Sequence, residues 1–397
     1  MKIHFFIAIV GFAAALIFSL IVYPKIQIPL NLGIDPDRYW EVAHNIYTES
    51  GFKYSNSTAE IIDKPPVYPY LLALLFHLTN GVNYYIVQIF QALFHSLTTL
   101  LIFFFIRNVV DGKTAAITQL TLALHPILIW YTPRIWIESF YILIFVATCL
   151  SYLRLFNSLK LSNSIVSGLM TGVTILTKSV LLFFPIFLLF FFYFTKGIKG
   201  FKSVLIIIVV ASVILLPWVI RNYKVSNSFV PVNIGLGQNL ILGNALAENW
   251  TQNPFNNLDA WEKGYTKIQS IINNFDFDNY QVDNEKLLIR TYLNSVFKNP
   301  EFFAYRTFIN FITFWYLSES PIKSIFFIIA QIPLLLVIVI GIKKLIRSYE
   351  FGWILILIIT YYSIVHAFVI GWGRYSVPLI PLMVVTVVLI LKDKKID

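Results

Sequence analysis

From end to end the chain carries apolar runs of about 16 to 23 residues, close to the ~20 a helix needs to cross roughly 30 Å of hydrocarbon. Within hydrocarbon each backbone polar group must find its partner inside the chain, so runs that are apolar on every side form helices. An outer-membrane barrel is excluded, because its strands alternate apolar and polar residues. Composition adds weight: 58% of the 397 residues are hydrophobic and 13% charged, whereas soluble domains have roughly 45–50% and about 25%. Soluble, disordered and collagen-like chains are thereby ruled out. The expected fold class is an all-α polytopic membrane protein, with residues 1–397 as a single membrane domain.

The runs predict about ten spans, near 5–23, 84–106, 114–131, 135–153, 164–179, 180–195, 203–220, 322–341, 351–370 and 375–391. The first lacks a small-x-small cleavage site and reads as an uncleaved helix. The fifth and sixth form a hairpin turning near Thr177-Lys178. Lys2, Arg107 with Lys113, Arg154 with Lys160, the 196–202 lysines, Lys343 to Arg347 and Lys392 to Lys395 then share one side. The positive-inside rule makes that side cytoplasmic. The formal charge of +10 belongs to this pattern, not to a nucleic-acid surface. Two polar loops, 24–83 and 221–321, fall on the extracytoplasmic side. Val67 to Leu78 is too short to span and reads as a helix lying in the interface or packed on the bundle, and 302–317 as a peripheral or re-entrant one. Within the second loop, 264–300 has the pattern of one or two short helices. The single Cys149 lies inside an apolar run, which leaves no intrachain disulfide and no cysteine-rich metal site.

Chemistry concentrates at the outer side. Asp35 and Asp37 stand two residues apart just after the first span, as a catalytic base would, although Asp35 before Pro36 also suits a helix N-cap. Lys64 precedes the rigid Pro65-Pro66 turn, where an interfacial snorkelling lysine is the plainer alternative. Glu138 lies about four residues into a predicted span, where a carboxylate is costly and marks either function or an ion pair with Arg134 four residues earlier. Lys178, Arg221 and Arg374 join Lys64 as cations at the outer boundary, against the positive-inside pattern. A phosphate at the membrane surface would account for their gathering.

Several segments in order resemble a known group. They are Asp35-Pro36-Asp37-Arg38-Tyr39, Lys64-Pro65-Pro66-Val67-Tyr68-Pro69, Glu138, Leu176-Thr177-Lys178, Pro217 to Tyr223, Phe229 to Asn244, and Gly373-Arg374-Tyr375 with Pro378 and Pro381. Together they are similar to the protein O-mannosyltransferase and aminoarabinose-transferase group of membrane glycosyltransferases, which have the GT-C fold. The resemblance implies an enzyme that moves a sugar from a polyprenyl-phosphate carrier to an acceptor hydroxyl on the outer face of the membrane, with inversion. It implies Asp35 as the catalytic aspartate with Asp37 as its acidic neighbour, although the group often has the two acids adjacent and Pro36 separates them here. It further implies Lys64, Arg221 and Arg374 as donor-phosphate contacts, joined by Lys178 from the charge pattern, and Glu138 as a second acidic position.

Such chemistry needs a carboxylate base and cations for the leaving phosphate but no nucleotide, and no Walker or Rossmann glycine motif is present. The partners it implies are the lipid-linked donor, a lipid, glycan or protein acceptor, and the membrane, most simply a plasma (inner) membrane. No cofactor is required; Asp35, Asp37 and Glu138 could hold a divalent cation. The rival classes are a secondary transporter and a noncatalytic subunit of a glycan-assembly complex. A transporter predicts repeat symmetry and charges at mid-membrane, and the sequence has neither.

Overall fold

The structure, a computed structural model, describes residues 3–26, 37–272 and 275–392, the side chain of Phe277 excepted. The first apolar run forms α1 (Ile3–Ile17), a π-helical turn (Phe18–Val22) and α2 (Tyr23–Ile26) in unbroken succession. The first loop contains α3 (Tyr39–Tyr47) and α4 (Val67–Leu78). Then come α5 (Tyr84–Val109), α6 (Gly112–Ala123), α7 (Pro126–Trp130), α8 (Glu138–Asn157), α9 (Leu161–Thr177) and α10 (Phe184–Ser226). The second loop holds α11 (Leu236–Trp250), α12 (Leu258–Ile271), α13 (Val282–Lys298) and α14 (Pro300–Thr313). The chain closes with α15 (Pro321–Ser348), α16 (Gly352–Val369), a 3₁₀ stretch Gly373–Leu379, and α17 (Ile380–Leu391). No strand occurs among the described residues.

Seven helical stretches among the described residues are long and apolar enough to cross a membrane, against the ten or so expected. Three features account for the difference. The 114–131 run is interrupted at His125, where Pro126 starts a new helix because proline cannot continue the old one. At 17 residues, α9 falls just short of a full span. The runs at 180–195 and 203–220 form two helices, as expected, but they follow one another directly across a sharp break at Gly197, whose φ of 64° and ψ of −154° suit a residue without a Cβ, and so they count as one stretch, α10.

Helix termini follow local sequence. Asn83 accepts hydrogen bonds from the amides of Tyr85 and Ile86 to open α5, and Asp111 accepts from Thr114 to open α6. Ser320 caps α15, with Pro321 in its first turn. Packing in the bundle interior uses small and hydroxylated residues. Thr148 pairs with Thr174 at 2.7 Å and Tyr152 with Thr171 at 2.6 Å, joining α8 to α9. On α9, Gly168 and Gly172 are one turn apart, and an added Cβ would come within 2.7 Å and 2.8 Å of the Cβ atoms of Val210 and Ile214 on α10. Two helices approach this closely only over small residues, the usual solution where no water drives association.

The 14 residues of α14 rise about 21 Å, too short to span. This helix is pinned by Arg306, fully buried, whose guanidinium donates to the carbonyls of Phe368 and Val369 at 2.7 Å each and to Asn244 Oδ1 at 2.5 Å. A cation thus meets the negative end of α16. Helix direction alternates so that 37–78, the start of α8, the α9–α10 junction, the end of α10 and the 370–374 segment gather at one end. Lys113, Arg154, Lys199, Lys343 and Arg347 lie at helix ends of the opposite pole.

Candidate functional site

The site starts with a strained backbone. Arg38 has φ 58° and ψ 27°, the left-handed region, immediately before α3, and no side chain caps that helix. Non-glycine residues stay there only when the surroundings hold them. Here Arg38 donates to Glu41 Oε2 at 2.7 Å and Oε1 at 3.0 Å, pairs with Asp278 of the second loop, and covers the Tyr54 ring at 3.8 Å. The turn presents Asp37 toward the bundle. Asp35 and Pro36 lie outside the described residues, so its placement and its capping alternative both fall there.

Asp37 meets Arg374, which arrives from the other end of the sequence. Nη1 of Arg374 donates to Asp37 Oδ1 at 3.2 Å and Nη2 donates to Oδ2, while Nε donates to Glu138 Oε1 at 2.7 Å and Nη2 also reaches Oε2 at 3.2 Å. Arg374 and Glu138 are 4% and 0% exposed, so the guanidinium is enclosed and shared between the two carboxylates. Bidentate forks of this kind are the strong, directional form of the ion pair. Burial opposes the Asp37 charge, but Arg374, with Lys64 and Lys178 behind it, holds the carboxyl below its ordinary value.

The alternative pairing of Glu138 with Arg134 does not form. The helix begins at Glu138, so Arg134 precedes it and shares no helical face with it. Arg134 Nε donates instead to the Tyr23 hydroxyl at 2.9 Å. Both arginines stand over the Trp136 ring, Arg374 at 4.0 Å and Arg134 at 4.3 Å. Trp136 carries no motif of its own in the sequence; its only signal there is the alternation of Arg134, Trp136 and Glu138.

Lys64 and Lys178 flank this network. Lys64 lies 3.7 Å from Asp63, itself bound by the Tyr54 hydroxyl at 2.6 Å, and faces the Tyr39 ring at 5.7 Å. The second loop braces this segment: the amide of Ile234 donates to the carbonyl of Ile62 at 3.0 Å, and Asn233 donates to that of Asp63 at 3.2 Å. Lys178 occupies the extended residue between α9 and the 3₁₀ turn Ser179–Leu181. Among the described residues it makes no ion pair, and its ammonium lies over Tyr375 at 4.8 Å and Tyr141 at 5.4 Å.

Arg221 is engaged elsewhere. It pairs with Glu60 at 3.0 Å, donates to the Ile61 carbonyl at 2.6 Å, and stacks on Trp218 at 4.7 Å and Phe52 at 5.0 Å. Asp37, Glu138, Arg374, Lys64 and Lys178 are therefore brought together, while Arg221 ties α10 to the 60–61 stretch beside them. Among the described residues no group of three or more His, Cys, Asp or Glu side chains is arranged to hold a metal ion, and Arg374 fills the space between Asp37 and Glu138.

Residues 63–220 match the family described as dolichyl-phosphate-mannose-protein mannosyltransferase. No curated protein matches the chain in sequence. Among solved structures, the archaeal oligosaccharyltransferase AglB from Archaeoglobus fulgidus, in complex with an inhibitory peptide and a dolichol-phosphate, overlays with a TM-score of 0.57 at 13% identity. The overlay covers 98% of this chain and 50% of that one. The apo form of the Archaeoglobus fulgidus oligosaccharyltransferase gives the same TM-score and coverage at 15% identity. ArnT from Cupriavidus metallidurans, bound to undecaprenyl phosphate, overlays at a TM-score of 0.45 and 15% identity, covering 96% of this chain and 77% of that one. The chain spans about half the length of the oligosaccharyltransferase. It has the GT-C fold of membrane glycosyltransferases, in an integral, multi-pass membrane protein.

Proposed function

We propose that the chain transfers a sugar from a polyprenyl-phosphate carrier to an acceptor hydroxyl at the extracytoplasmic end of the bundle. The observation that carries this reading is the meeting of Asp37, Glu138, Arg374, Lys64 and Lys178 at one end, from five separate parts of the chain. Charges collected at one pole suit surface chemistry, whereas a transporter would set them at mid-membrane.

In the reaction, the acceptor hydroxyl oxygen attacks the anomeric carbon and gives its proton to a carboxylate. The bond from that carbon to the phosphate oxygen breaks, and the phosphate leaves on its lipid. One displacement inverts the anomeric centre. We assign the base to Asp35: both oxygens of Asp37 are engaged by Arg374, and a carboxylate so held is a poor proton acceptor. Lys64 and Lys178 receive the departing phosphate, because Arg374 is committed to Asp37 and Glu138, and Arg221 is turned to Glu60 and the Ile61 carbonyl. The bidentate grip of Arg374 makes it the group that keeps Asp37 and Glu138 in place.

Turnover by the purified protein with a panel of polyprenyl-phosphate sugars tests the proposal. At least one should be consumed, and Lys178→Met should slow the reaction roughly 10- to 100-fold, as expected for losing one charged hydrogen bond to phosphate. Inertness toward the whole panel in the presence of lipid, glycan and peptide acceptors would sink it. The orientation is tested separately by cysteine labelling of intact cells. A cysteine at Asn253 should react with an impermeant reagent and one at Lys199 should not; the reverse pattern would place the site in the cytoplasm.

A further inference from the structure

The second loop lays an aromatic face against this site. On α12, Trp261 and Tyr265 are four residues apart and share one side of the helix. Gly264 lets α12 approach α11, since a Cβ there would come within 2.6 Å of Leu242 Cδ2. Across from them stand Trp372 and Tyr375, on either side of Gly373-Arg374. The Trp261 and Trp372 rings lie 5.0 Å apart at 67°, and those of Trp372 and Tyr375 5.3 Å apart at 79°.

Both indoles are fixed in orientation. Buried Asn257 lies between them; with its amide assigned so that the oxygen faces the indoles, the orientation that satisfies both of its ends, it accepts from Nε1 of Trp261 and of Trp372 at 3.1 Å each and donates to the Ser318 carbonyl at 3.3 Å. The set joins the charged network directly: Arg374 lies 5.4 Å from the Trp372 ring, and Lys178 4.8 Å from that of Tyr375. Tyr265 lies within electrostatic reach of Asp37; burial, with that charge added, pushes its phenol up to about 12.

Resting on the transferase reading above, we propose that Trp261, held by Asn257 and set against Trp372, is the platform for the transferred sugar, a pyranose. A pyranose has one C–H-bearing, apolar face and a rim of hydroxyls. An indole buries the first, and the Tyr265 phenol and the neighbouring charges meet the second. The platform stands beside Asp37 and the phosphate cations, where a sugar attached to that phosphate has to lie. Specificity for the sugar therefore resides in α12, outside the span of the matched family region.

Binding of two lipids to the full chain in nanodiscs tests this: bare undecaprenyl phosphate, and the same lipid carrying a single mannose or glucose. Trp261→Leu should weaken the better-bound sugar lipid about tenfold, the size of one aromatic stacking contact. It should leave bare undecaprenyl phosphate within about twofold, and Trp261→Phe should recover most of the loss. Equal weakening of both lipids would make Trp261 a packing residue and overturn the platform, as would unchanged binding of both. Failure of the wild type to bind either lipid would instead overturn the transferase reading, and the platform with it.

Discussion

Asp35→Asn is expected to reduce sugar transfer roughly 10²- to 10⁴-fold, the range contributed by a positioned general base, with little change in the thermal unfolding midpoint. Asparagine retains the shape and capping ability of aspartate while removing its charge, so a capping role predicts near-normal turnover. Asp37→Asn provides the contrast. It breaks one arm of the Arg374 fork and leaves the guanidinium with Glu138 alone, so that variant should lose stability as well as rate. Transfer rates and unfolding midpoints of the two variants, measured side by side, separate base from anchor. A folded, fully active Asp35→Asn beside a dead but equally stable Asp37→Asn would move the base to Asp37.

Arg374→Met should be the most destabilising single change in the site. It leaves Glu138 enclosed without a counter-charge and Asp37 without its main partner. Removing one member of a buried ion pair costs about 3–5 kcal/mol, since the remaining charge is stranded away from water. Unfolding in detergent micelles measures the loss. Glu138→Gln in the Arg374→Met background should restore part of it, because it removes the stranded charge. Additive losses in the double variant would show that the two side chains do not act as a unit.

How much of this was legible in sequence differs residue by residue. Asp37, Glu138, Lys64, Lys178 and Arg374 could each be assigned to the outer end, because run lengths and the Lys/Arg distribution order the chain along the membrane normal. Nothing local could reveal that Glu138 binds Arg374, 236 residues away, in preference to Arg134 four residues away. That choice turns on α8 beginning at Glu138 itself. The aromatic face of α12 was hidden for a related reason: Trp261 and Tyr265 sit in a helix otherwise rich in polar residues, and their partners belong to a segment more than a hundred residues later.

The break within α10 shows the same division. Two apolar runs were visible, but only the left-handed φ at Gly197 decides how the chain turns between them. Depth in the membrane is written locally: each residue's transfer free energy between water and hydrocarbon is its own property, and it sums over a window to a helix that spans. Neighbours are not written locally. Which helices touch depends on the fit of surfaces such as Gly168 and Gly172 on α9 against Val210 and Ile214 on α10, and charge partners then follow from which helix ends those fits bring together.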